Sequence, residues 1–323
     1  MIVTGVLVAL IVVALMGALA PLMAAADDIA PPKGVAPVVG MAHDGEALWL
    51  AGASANDGVV VNAETGDEVR FSATSQSVQA LAWSDDKLWV ADFGDTDASR
   101  DHVVAYRLTS VEPGQTTYNA FDFRYQDGPR DAKAFLISGR GRVYVVTSGE
   151  NPGIYRSSLE LSRTSMNALV RVTAAPEGVT DGVFLADGST MALRTAKGIE
   201  YIDAFTWETV VTDTIDGAPE GESIARGAAD EIFVGGNPDI RTTTKPSSDT
   251  TTTVSPSPEP TASETTPSET PSGSPSPTAT ATAPGDDDVA DGSQPSRRGT
   301  IIAVALAGAL ALAAGAVAYF VRK

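Results

Sequence analysis

The chain has 323 residues, a formal charge of −19 and a sequence pI of about 4.4. A phosphate backbone would be repelled by such a surface, which excludes nucleic acid as an expected partner. With no cysteine and two histidines, neither a thiolate nucleophile, a disulfide framework nor a histidine-rich metal centre can form.

Taken from the N-terminus, residues 1–26 read as an export signal or a retained anchor. Val6 to Ala20 is apolar, and Ala24-Ala25-Ala26 before Asp27 fits a small-x-small cleavage site, although the start MIVTG carries no lysine or arginine. Residues 27–240 then form the globular region, large enough for one sizeable core. Within it a hairpin pattern recurs: VVGMAHDGEALWLAG, VQALAWSDDKLWVAD, AKAFLISGRGRVYVVT, TDGVFLADGSTMALRT and SIARGAADEIFVGG. The second strands centre near Trp49, Trp89, Tyr144, Ala192 and Phe233, at intervals of 40, 55, 48 and 41. Asp44-Gly45, Asp85-Asp86, Gly139-Arg140-Gly141 and Asp187-Gly188 supply turn residues that tolerate positive φ.

A third strand follows most hairpins (GVVVN, HVVAYRL, GIYRS, GIEYID), and often a fourth (EVRFS, TTYNAFDFRY, ALVRV). Four short strands in each unit of about 40–50 residues predict an all-β fold, a β-propeller of five or six blades. One four-stranded sheet cannot bury both faces alone, whereas radial stacking can. A β-sandwich is the alternative fold. The last hairpin lacks outer strands unless the segment near Pro37–Val39 supplies one. Trp49, Trp83, Trp89 and Trp207 are expected in the packing between blades rather than as carbohydrate platforms.

Residues 241–299 are rich in Ser, Thr and Pro and nearly lack large apolar side chains. They are expected to form a disordered stalk, extended at about 3.1 Å per residue to a reach on the order of 150 Å, with composition suited to O-glycosylation. Asp286-Asp287-Asp288 reads as solvated linker charge. Residues 300–321 contain the uncharged run Ile301 to Val321, long enough as a helix to cross a bilayer core of about 30 Å, with Tyr319 and Phe320 at one end. Residues 322–323 become a cytoplasmic tail. The expected location is the cell membrane, single-pass at the C-terminus, with the propeller outside the cytoplasm.

The chemistry-bearing stretch is VADFGDTDASRD, Val90 to Asp101. Asp92 closes a predicted strand, Gly94 permits a tight turn, and Asp95 and Asp97 alternate behind it. Calcium binds carboxylate and carbonyl oxygens, so Asp92, Asp95 and Asp97 form a candidate metal set and calcium the one candidate cofactor. The alternative is a turn in which Asp95, Asp97 and Ser99 bond the backbone and Arg100 pairs with an aspartate. Candidate ligand-binding residues are Asp92, Asp95, Arg100, Arg194 and Glu222, with an ion pair between blades as the other reading of Arg194 and Glu222. There is no G-x-S-x-G elbow, H-E-x-x-H or P-loop, and His43 and His102 sit at a turn and a strand end, so no catalytic residue is assigned.

Four segments also carry a resemblance. ADFGDTDASRDHVVAYRL, RYQDGPRDAKAFLISGRGRVYVVTS, VTDGVFLADGSTMALRTAKGIEYID and PEGESIA, over roughly residues 80–226, resemble in order the motifs of exported or membrane-anchored actinobacterial β-propeller proteins, most of unknown function. These are distantly similar to esterase-like and phytase-like propeller domains. The chain departs from the pattern at Thr96 (asparagine expected), Lys133 (glutamate expected) and Ser148 (lysine expected), which weakens any inherited catalytic role. The leading expectation is a non-catalytic surface binding or scaffold module, with an envelope glycan, a protein or a small ligand as partner. The alternative is a calcium-dependent esterase-like or phytase-like hydrolase using the Asp92–Asp101 loop.

Overall fold

The computed structural model describes residues 28–254; the N-terminal segment 1–27 and residues 255–323 lie outside it. Strands come in consecutive antiparallel runs. The first is β1 (Gly40–His43), β2 (Leu48–Ala51), β3 (Val59–Asn62) and β4 (Glu68–Phe71). The second is β5 (Val78–Ser84), β6 (Lys87–Asp92), β7 (Val103–Leu108) and, beyond the short β8 (Gly114–Thr116), β9 (Tyr118–Tyr125). The third is β10 (Ala132–Ile137), β11 (Val143–Thr147), β12 (Gly153–Arg156) and β13 (Asn167–Ala174). Next come β14 (Val179–Phe184), β15 (Thr190–Thr195), β16 (Gly198–Asp203) and β17 (Thr209–Asp216). Last are β18 (Ser223–Arg226), β19 (Glu231–Gly235) and β20 (Ile240–Thr244), with β21 (Thr250–Thr253) behind them. Among the described residues the helical content is one 3₁₀ turn, Ala53–Asp57.

Turn chemistry sets these runs. Asp85 and Asp86 both take positive φ, 51° and 54°, which joins β5 to β6 through a two-residue turn matched to strand twist. Asp44 Oδ1 accepts the Glu46 and Ala47 N–H groups, and its Oδ2 accepts Trp49 Nε1–H at 2.8 Å, tying the turn to the strand it starts. Second strands such as β11 (VYVVT) are buried along their whole length, as strands covered on both faces must be.

The first strand of each run bonds a partner on one side only, and β1, β5, β10, β14 and β18 contact one another in that order, β18 returning to β1. The apolar clusters follow the same circle. Trp89, Phe93, Phe123 and Phe135 pack between the second and third runs. Val35, Val38, Met41, Leu50, Ala225 and Phe233 pack between the last and the first. The fold is all-β with the layout of a β-propeller. The ring is tight: a Cβ on Gly40 would lie 2.6 Å from the Leu81 backbone nitrogen, so only glycine lets β1 and β5 approach this closely.

Outer edges are covered by parallel pairing: β4 with β8, β9 with β13, and β17 with β21. Strand pairing therefore continues past Ile240, through Thr253, into the segment whose composition suggests stalk. Arg241–Thr244 completes the last sheet, and threonine is β-branched and fits a pleated edge. The N-terminal closing contact falls at Ile29, which exchanges two 2.8 Å backbone hydrogen bonds with Ile240, while Val38 N–H donates to Gly236 O. The two long apolar segments and Asp286–Asp288 are outside the described residues. Among the described residues no helix is long and apolar enough to cross a membrane.

Candidate functional site

Two ends of the ring differ sharply. At the start of the first strands lie the candidate ligand and metal residues singled out in the sequence. Asp92, at the end of β6, is buried and fully engaged. Arg100 grips it with two bonds, Nη1 to Oδ1 at 2.9 Å and Nη2 to Oδ2 at 3.2 Å, and the Ser77 and Gln76 N–H groups donate to the same oxygens at 2.8 and 3.1 Å. Arg100 also donates to Gly94 O at 2.9 Å. Gly94 is required here, since a Cβ would lie 2.2 Å from Ser77 Oγ.

Asp95, also buried, accepts the Ser99 and Arg100 N–H groups, both at 2.9 Å, which is a side-chain-to-backbone turn. Its own N–H donates to Asp131 Oδ1 at 2.8 Å. Asp97 is exposed, unlike the buried Asp92 and Asp95. Among the described residues no three His, Asp or Glu side chains converge as metal ligands would. A cation taking the Asp92 oxygens would have to displace the guanidinium or the Gln76 and Ser77 N–H donors.

Arg194 (β15) and Glu222 (before β18) meet elsewhere on this end. Arg194 Nε and Nη2 donate to Glu222 Oε2 at 3.0 and 2.6 Å, and Nη1 donates to the Thr195 and Gly198 carbonyls. Arg241 Nη2 donates to the same oxygen at 2.9 Å, and its Nη1 lies 2.8 Å from Oε1. The structure thus forms two groups, Asp92–Arg100–Asp95 and Arg194–Glu222–Arg241, and not one pocket.

Several contacts of this end escape sequence reasoning. The pairing of β5, β10 and β14 with their neighbours slips at one equivalent place, leaving Gln79, Lys133 and Thr180 as bulged residues. Lys133 Nζ donates to Gln79 Oε1 at 3.0 Å and lies 3.3 Å from Asp131 Oδ2, which Ser148 Oγ also reaches at 3.1 Å. Thr180 Oγ1 donates to Glu222 O at 2.6 Å. Asp181 is wholly buried with no cation beside it. Its oxygens accept the Gly182 N–H at 2.8 Å and the Ile224 N–H at 3.1 Å, and burial pushes its carboxyl well above the ordinary range. Asp-Ala-Lys at 131–133 and Thr-Asp at 180–181, each opening a first strand, were the available signals.

The opposite end is open. Where the first strands finish, a cavity of about 480 Å³ is lined by Met41, Leu81, Leu136 and Phe184, with Trp83, His43 and Arg226 also on its wall. Unpaired strand edges make much of its wall, so it offers backbone donors and acceptors, while Met41, Leu81, Leu136 and Phe184 are themselves buried in the packing between blades. None of the sequence-selected site residues lies there.

No protein-family model matches the chain, and no curated protein matches it. Among solved structures it is similar to a streptogramin B lyase structure, at 11% identity and a TM-score of 0.40, over 68% of this chain and 72% of that one. It is similar to XC5397 of Xanthomonas campestris, a gluconolactonase, at 13% identity and a TM-score of 0.41, over 64% and 71%. It is also similar to virginiamycin B lyase of Staphylococcus aureus, at 12% identity and a TM-score of 0.39, over 68% and 73%.

Proposed function

We propose that the chain is a non-catalytic binding module displayed at a cell surface. In this reading a five-bladed propeller is held outside the cytoplasm by the Ser/Thr/Pro-rich stalk and by one C-terminal membrane helix, Ile301 to Val321, after export directed by residues 1–26. Five blades are supported by the ring of β1, β5, β10, β14 and β18 and by the packing of the last run on the first. The partner is an envelope glycan, a protein or a small ligand, and not nucleic acid.

The observation that carries the non-catalytic reading is saturation. Asp92 accepts from the Arg100 guanidinium and from two backbone N–H groups, Asp95 accepts the Ser99 and Arg100 N–H groups, and Glu222 Oε2 accepts from Arg194 and Arg241 while its Oε1 lies 2.8 Å from Arg241 Nη1. A general base or metal ligand needs a free lone pair in reach of substrate.

Two assays test this. Purified protein with millimolar calcium, given p-nitrophenyl phosphate and p-nitrophenyl acetate, should release product at the buffer rate. Turnover that disappears in Asp95→Ala with an unchanged melt would establish the hydrolase instead. Protease added to intact cells should remove the 28–254 region, and protection of that region would contradict the surface location.

A further inference from the structure

We propose that residues 25–28 dock on the outer edge of β20 as a further antiparallel strand of the last sheet, so that Ala25 and Ala26 stay on the mature chain. The inference is independent of what the module binds. It concerns the one sheet edge that the described residues leave almost bare.

Among the described residues the last sheet has three strands, β18, β19 and β20, whereas the first and fourth runs each have four and a parallel fifth behind them. The outer edge of β20 is met there by Ile29 alone. A bare edge is a row of unpaired N–H and C=O groups, which native folds cover or blunt with proline, lysine or a bulge. Ile240–Thr244 reads IRTTT and pairs with β19 without a bulge, so nothing in β20 blunts it.

Ile29 says what covers it. Ile29 and Ile240 exchange two backbone bonds of 2.8 Å, the hydrogen-bonded pair of an antiparallel ladder. Backbone groups alternate sides along a strand, so Thr242 and Thr244 present N–H and C=O outward as Ile240 does. The antiparallel sense carries the chain before Ile29 along β20 toward Thr244. The same pair fixes the register: Asp28 falls opposite Arg241, Asp27 opposite Thr242, Ala26 opposite Thr243 and Ala25 opposite Thr244. Asp28, which is exposed, thus faces a cation, and opposite charges directly across a strand pair are favourable. Thr242 and Thr243 are half-buried and Thr244 is exposed, so the small Ala25 and Ala26 suffice on this edge.

The absence of native cysteine lets an engineered pair report this register. Facing residues of a non-hydrogen-bonded antiparallel pair have Cα atoms about 4.5 Å apart, inside the disulfide range of about 4.4–6.8 Å. The full-length protein carrying Ala26→Cys and Thr243→Cys, purified in a maltoside detergent and oxidised, should form an intramolecular disulfide, read as a cross-linked peptide by mass spectrometry. Ala25→Cys with Thr243→Cys sets the two side chains on opposite faces and should remain mostly reduced. In the wild type, the Thr242 amide should exchange hydrogen at least about tenfold more slowly than the exposed Ser247 and Ser248 amides. This second measurement needs no substitution and decides the matter where a cysteine variant folds poorly. A mature chain beginning at Asp27, equal cross-linking of the two pairs, or a Thr242 amide as fast as Ser247 would each overturn the proposal. A disulfide joining two molecules would put a second copy on the edge and overturn it as well.

Discussion

At the scale of single residues, the buried charges decide most. Asp92 has lost its water and relies on Arg100. Replacing Arg100 with alanine leaves a buried carboxylate without its cation, which costs about 3–5 kcal/mol. Urea denaturation should show that loss, and the double variant Arg100→Ala, Asp92→Ala should recover part of it. Asp97 is exposed, unlike Asp92 and Asp95. Asp97→Ala should therefore change stability by no more than about 0.5 kcal/mol.

Asp181 makes a separate, pH-dependent prediction. Burial raises its carboxyl pKa in the folded state, against the opposing pull of its N–H donors. The folded protein therefore binds this proton more tightly than the unfolded chain, whose pKa is about 3.9. The contribution is fully present below about pH 4 and is lost as pH rises through the raised folded value. In denaturation series from pH 4 to 8, the stability difference between wild type and Asp181→Asn should shift against wild type as pH rises. A pH-independent difference would show that Asp181 titrates normally.

At the scale of strands, the hairpins were legible because each carries its own turn residues and a β-branched or aromatic second strand. Lys87–Asp92 and Val143–Thr147 are examples. What escaped was pairing that depends on distant partners. Arg241–Thr244 looks like the start of a polar tail, yet it completes a sheet because β19 offers an open edge. Thr250–Thr253 has no apolar residue at all and pairs with β17 through the backbone ladder and one side-chain bond, Thr252 Oγ1 to Asp213 Oδ1 at 3.1 Å. The closing contact from Ile29 could not be distinguished from the Pro37–Val39 segment by composition. The site followed the same logic. Arg100 with Asp92 was visible as local charge, whereas the cavity is built from the ends of five strands far apart in sequence. A fragment ending at Ile240 lacks β20 and the Arg241 partner of Glu222, so it should melt far below one ending at Val254, or fail to fold. Equal melting would show that β20 contributes nothing.

At the scale of the molecule, the ring has one closed polar end, locked by arginine–carboxylate pairs, and one open end where the first strands finish around a cavity. Arg194, Glu222 and Arg241 join the last two runs of strands, while Ile29 and Val38 close the last run onto the first. The lock also commits the acidic residues to structure. Calcium binding is where the structural and hydrolytic readings of the Asp92–Asp101 loop part most cleanly. The decisive measurement is the melting temperature of residues 28–254 in EDTA and in millimolar calcium, for wild type and Asp95→Ala. A cation bound only by the folded state at about 100 times its dissociation constant would add about 2.7 kcal/mol. The account predicts coincident wild-type melts, with Asp95→Ala lowered equally in both buffers. A calcium-dependent rise that Asp95→Ala abolishes would contradict it.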